Sequence, residues 1–158
     1  MNKLLTKHLP ILFLIFITAC SYKPIFSGKN YNFEINEITF TGEKDINNII
    51  KNKLNTIKKN SQSEKTKYDI FVNTKKKREI FSKDSKGDPN KFNIILITKY
   101  EVKENGKLIF ERTLENNNTF NNDTDKFQLE QNEKMIIENL SEKIGGEIIS
   151  SIINLNDN

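Results

Sequence analysis

Two rhythms of apolar residues alternate along this chain, and they predict its elements. Phe33-Glu34-Ile35 and Ile38-Thr39-Phe40 alternate with a period of two, but out of phase, which predicts one strand with a bulge near Asn36. Thr41-Gly42 ends it. Ile46, Ile49, Ile50, Leu54 and Ile57 then fall on one stripe at helical spacing, with Asp45 as the expected N-cap. After the polar break Asn60-Ser61-Gln62-Ser63, the positions Tyr68, Ile70 and Val72 return to period two, in a strand that runs into Lys75-Lys76-Lys77-Arg78. A loop is expected from Ser82 to Asn90, holding Gly87 and Pro89.

Phe92, Ile94, Leu96, Tyr100 and Val102 share one face of a long third strand. Ile95 and Ile97 lie on the opposite face, predicting that the strand's middle is covered on both sides. Glu104-Asn105-Gly106 turns the chain. A two-residue Asn-Gly turn would set Lys103 opposite Leu108 and Glu101 opposite Phe110. A three-residue loop with Gly106 left-handed pairs Val102 with Leu108 and Tyr100 with Phe110, apolar on apolar, and is the expected form. Leu108, Phe110, Arg112 and Leu114 make a fourth strand ending at Asn116-Asn117-Asn118.

A helix from about Asp125 to Asn154 closes the pattern, with Leu129, Ile136, Leu140, Ile144, Ile148, Ile152 and Leu155 along one face. Asp123 and Asp125 lie at its positive end. Gly145-Gly146 interrupts it, implying a kink or the close approach of another backbone. Ile137, Ile149 and Ile153 widen the stripe, so that the helix is expected to touch more than the sheet. The fold class is α+β: a four-stranded, mostly antiparallel sheet with two helices on one face, in the order β-α-β-β-β-α.

The first 32 residues follow neither rhythm. Lys3 and Lys7 precede the apolar run Ile11-Leu12-Phe13-Leu14-Ile15-Phe16-Ile17, and Ile17-Thr18-Ala19-Cys20 closes it. That is a secretory signal over residues 1–19, too short to span a bilayer, which needs roughly 20 apolar residues. Cys20, the only cysteine, stands where a lipobox carries its diacylglycerol. The alternative, a free thiol after an ordinary signal, gives it no packing role. Residues 20–32 read as a lipidated N-terminus and tether with Pro24 and Gly28, and 33–158 as a single α+β domain. More than one acyl chain on Cys20 is needed for stable attachment.

Cleavage also removes His8, the only histidine. The mature chain then has no His, no Trp and no free thiol, which excludes histidine-based metal sites, disulfides and most nucleophile–base pairs. No catalytic residues, metal or cofactor are expected, and the chain is not read as an enzyme; a lipid-anchored hydrolase lacks its constellation. Charge is uneven. Residues 51–91 hold 13 Lys/Arg against 5 Asp/Glu (net +8), and residues 101–158 hold 6 against 12 (net −6). A basic half suggests an anionic partner, and export argues against nucleic acid. Lys75, Lys76, Lys77 and Arg78 are the candidate glycolipid contacts, of which strand alternation lets at most about half face one ligand. Equally open is a solubilising role, cations that keep a sheet edge from pairing.

Cys20-Ser21-Tyr22-Lys23-Pro24-Ile25-Phe26 is similar to the Cys-Gly-Tyr/Phe-x-Pro-Leu-Tyr start of alphaproteobacterial members of the LptE family. The resemblance continues in the helix after the first strand, in the long hairpin, and in Phe127 leading into an acidic terminal helix rich in Ile. It implies an α+β domain plugged into the LptD β-barrel, assisting its assembly and binding lipopolysaccharide. By resemblance to lipoprotein sorting rules, Ser21 rather than Asp after the cysteine implies the outer membrane, periplasmic face, reached through the lipid anchor. The alternative is a lipoprotein subunit of another envelope lipid-transport complex. Metabolic labelling with a palmitate analogue should mark the wild-type protein and not Cys20→Ala; equal labelling of both would refute lipidation at Cys20.

Overall fold

Even-numbered residues of the third strand form the floor of the core. Ile94, Leu96, Tyr100 and Val102 are completely buried there, and Thr98 with them. The computed structural model describes residues 33–57 and 65–156. Cys20, the signal segment, the tether and the polar break at 60–63 lie outside the described residues. The elements are β1 (Phe33–Gly42), α1 (Lys44–Asn55), β2 (Thr66–Lys83), β3 (Pro89–Glu104), β4 (Lys107–Asn121) and α2 (Lys126–Asn156). The sheet order is β1-β2-β3-β4, with β1 parallel to β2 and the other pairs antiparallel. Both helices lie on the face that carries Tyr68, Ile70, Val72 and the even-numbered residues of β3.

The predicted bulge in β1 is present. Ile35 pairs with Tyr68 and Glu37 with Asp69, so Asn36 is the extra residue that brings Ile38 and Phe40 back to the phase of Phe33 and Ile35. Ile46, Ile50 and Leu54 seat α1 on the sheet, and full burial of each contributes roughly 1.5–3 kcal/mol. Its cap differs from expectation. Glu43 occupies the N-cap without a side-chain bond, and Asp45 sits in the first turn, where its carboxylate still faces the helix's positive end.

The turn after β3 is the two-residue form. Asn105 (φ 49°) and Gly106 (φ 78°) both take the left-handed conformation that a twisted hairpin requires, and Glu104 pairs with Lys107. Lys103 then faces Leu108, and a bulge at Ile109 sets Val102 opposite Phe110. Apolar registry is thus restored inside the strand rather than in the loop, and Leu108 is left exposed on the other face. Tyr100 pairs with Arg112, and the Phe110 ring reaches it diagonally at 5.8 Å.

Three further boundaries move. β2 continues past Arg78 to Lys83, β4 runs through the asparagines to Asn121, and the expected 82–90 loop shrinks to residues 84–88. Strand pairing decides this, since Ile80 pairs with Phe92 and Phe120 with Phe92 on its other side. Ile95 and Ile97 are only half-buried, because both helices pack on the opposite face.

Asp125 caps α2, its Oδ1 accepting the N–H of Phe127 at 2.9 Å and of Gln128 at 3.3 Å. The helix runs unbroken through Gly145-Gly146 to Asn156. A Cβ on Gly145 would lie 2.9 Å from Cβ of Lys53 and 3.8 Å from Cα of Ile50, so α1 is the close neighbour; at Gly146 a Cβ meets nothing within 4 Å. Ile149, completely buried, confirms that the widened stripe serves the core as well. Gly146→Ala should therefore raise stability by about 1 kcal/mol through helix propensity. Gly145→Ala should lower it, since α1 must shift. Urea denaturation of the two variants checks this, and equal stabilisation by both would show that Gly145 is incidental.

Candidate anion-binding site

Lys75, Lys76, Lys77 and Arg78 lie in the middle of β2, not at its end. They pair with Ile97, Leu96, Ile95 and Ile94 of β3. Alternation divides them. Lys76 and Arg78 share the side of Thr74, beneath the helices; Lys75 and Lys77 share the open side with Ile95 and Ile97.

The helix-side pair is already engaged. Glu133 of α2 reaches down so that its Oε2 lies 3.2 Å from Nε of Arg78 and its Oε1 lies 3.7 Å from Nζ of Lys76. The Arg78 guanidinium also lies over the Phe92 ring, 3.9 Å from its centroid, with Phe120 at 6.0 Å. A planar cation between a carboxylate and an aromatic face is a structural fastening, which ties the N-terminal half of α2 to β2 and β3.

Above Lys76 a groove of about 540 Å³ opens between the start of α1 and α2. Its walls are Ile46, Ile49 and Ile137, and its charges are Glu43, Asp45, Glu130, Glu133 and Glu138 against Lys76 and Lys134. Five carboxylates against two amines disfavour an anion in this groove.

The open side is different. Among the described residues neither Lys75 nor Lys77 forms an ion pair. They stand beside half-buried Ile95 and Ile97, which in turn pair with Asn117 and Glu115 of β4. Farther along this face, Lys99 is held at 2.9 Å by Glu111, and that hydrogen bond pushes its ammonium above the ordinary lysine range. Lys103 lies 4.3 Å from the Phe71 ring centroid. Burial raises the phenols of Tyr68 and Tyr100 on the core side. Of the four predicted cations, then, the structure brings two together on each face. Sequence reasoning missed Glu133, Phe92 and Phe120 as partners of Arg78. The one available signal was that Glu133, four residues after Leu129 and three before Ile136, falls within the apolar stripe, where a carboxylate needs a partner.

No protein-family model matches this chain, and no curated protein matches it in sequence. The arrangement of β-α-β-β-β-α with both helices on one face is shared with small bacterial lipoproteins. Lipoprotein B from Nitrosomonas europaea matches over 87% of this chain and 94% of its own, at 14% identity and a TM-score of 0.62. The minor lipoprotein of Acinetobacter baumannii matches over 78% and 96% (14%, 0.56), and the rare lipoprotein B of Shewanella oneidensis over 76% and 98% (14%, 0.54). At these identities the likeness is one of fold.

If Arg78 fastens α2, Arg78→Ala should cost about 1–2 kcal/mol, from the ring contact and the ion pair together. Lys76→Ala should cost under about 0.5 kcal/mol, and Lys75→Ala or Lys77→Ala almost nothing. Chemical denaturation of the four variants tests the order; equal effects would mean that the faces are not distinct.

Proposed function

We propose that this chain is an outer-membrane lipoprotein that supports assembly of an LptD-like β-barrel, sits in its lumen, and binds lipopolysaccharide during insertion at the cell surface. The observation that carries this reading is the conjunction of Ile17-Thr18-Ala19-Cys20 with a fold shared, over nearly its full length, with bacterial lipoproteins. Acyl chains on Cys20 hold the protein to the periplasmic face. It works by binding, without catalysis and without a cofactor.

Lys75 and Lys77 are the glycolipid contacts in this reading. Their ammonium groups have no ion-pair partner among the described residues, and Ile95 and Ile97 beside them offer apolar surface to an acyl chain. Lys76 and Arg78, the other two candidates, face the helices and share Glu133.

Affinity purification of the lipidated protein from detergent-solubilised outer membranes, followed by mass spectrometry, tests the partner. A β-barrel protein should be recovered in near-stoichiometric amount, and depletion of the lipoprotein should lower surface lipopolysaccharide. Recovery of inner-membrane transporter subunits with no barrel would favour the other envelope lipid-transport role instead.

A further inference from the structure

β1 stops at Gly42, opposite Thr74, while β2 runs on to Lys83. Beyond Thr74, β2 is bonded to β3 alone, and among the described residues no strand, turn or loop bonds to its other side. A free edge of nine residues, 75–83, is left, about 30 Å long. It carries Lys75, Lys76, Lys77, Arg78 and Lys83 against Glu79 alone. Where the cations give way, Ile80 and Phe81 are 50% and 61% exposed. Phe81 is the unpaired residue between the Ile80–Phe92 and Ser82–Lys91 pairs.

Cations on an edge commonly prevent pairing, and here they exclude two partners. A second copy's β2 edge carries the same five cations against one carboxylate, so two such edges repel. The chain's own tether, residues 20–32, holds Lys23 and Lys29 and no carboxylate, so it is repelled as well. Protection alone leaves two large apolar side chains exposed on the same edge without a reason. Both features fit an occupant of opposite charge with some apolar character.

We propose that the edge 75–83 accepts an extended acidic segment of a partner protein as a fifth strand, in the line that β1 vacates. Strand addition supplies backbone hydrogen bonds, and alternate side chains supply selectivity. Lys76 and Arg78 are committed to Glu133, so the partner's carboxylates fall on the open side, at every second residue, beside Lys75 and Lys77. There they and the glycolipid of the proposed function occupy the same two ammonium groups in turn. An apolar residue of the same segment covers Ile80 or Phe81.

The probe is a fluorescent ten-residue peptide of alternating Glu and Val, titrated onto the lipidated mature protein in an uncharged detergent. A second peptide, N-methylated at alternate residues, keeps the charge and loses the strand donors. The first should bind saturably, and the second at least about tenfold more weakly. Lys75→Glu with Lys77→Glu should also weaken the first about tenfold, with circular dichroism showing the fold retained. Equal binding of the two peptides would overturn the proposal in favour of a diffuse positive field. So would absence of saturable peptide binding to protein that does bind purified lipopolysaccharide. The comparison of peptides uses wild-type protein, so it decides the matter even if the double variant fails to fold.

Discussion

Thr74 is buried at the centre of β2, and its hydroxyl is shared between the end of β1 and the start of α1. It accepts the N–H of Glu43 at 3.0 Å and donates to Oδ1 of Asn47 at 2.7 Å. Asn47 then donates from Nδ2 to the carbonyl of Thr41 at 3.1 Å. Gly42 makes the corner passable. Its φ is +92°, and a Cβ there would lie 2.0 Å from the Thr74 carbonyl oxygen. Left without partners, the buried hydroxyl or amide would cost about 1–3 kcal/mol, so the three residues hold one another in place. The chain leaves β1 for α1 at this corner and rejoins the sheet only at Thr66.

The mismatch of lengths that organises the molecule follows from that corner. β1 has 10 residues and β2 has 18; α1 has 12 and α2 has 31. At 1.5 Å per residue α1 is about 18 Å long and α2 about 46 Å. One half of the sheet is therefore covered by both helices, through the core of Ile46, Ile50, Leu54, Ile144 and Ile148. Over the other half α2 stands without α1, held by Glu133 on Lys76 and Arg78 and by the Arg78 guanidinium on Phe92. Where α2 stands alone, the apolar contacts of Leu129 and Ile136 are supplemented by this charged fastening.

The shared fold with proteins only 14% identical is consistent with this physics. A sheet face needs apolar residues at alternate positions and a helix needs them at three and four, and many sequences satisfy both. Function has to be read from what the fold leaves uncovered. Here that is an open sheet face with two lysines beside two isoleucines, and a strand edge with no β1 beside it.

Element order, the bulge at Asn36, the stripe of α1 and the core face of β3 were all legible in the sequence. Each rests on local periodicity, which burial of one face imposes directly. The candidate cations were legible as a run, and so was the limit that alternation sets on them. The hairpin was misread because cross-strand pairing was weighed without the twist: Asn105-Gly106 favours two positive φ angles, and Ile109 absorbs the phase error at small cost. The ends of β2 and β4 were misplaced because Lys, Asn and Thr carry no period, and backbone pairing with β3 extended them regardless. Gly145-Gly146 announced a close approach, but only the packing of α1 showed that Gly145 alone makes it. Which lysines are free was settled by Glu133, 55 residues beyond Arg78 in sequence (133 − 78), and no local pattern joins residues so far apart. Sequence determined what each segment is; the tertiary structure decided which charges it still has to offer.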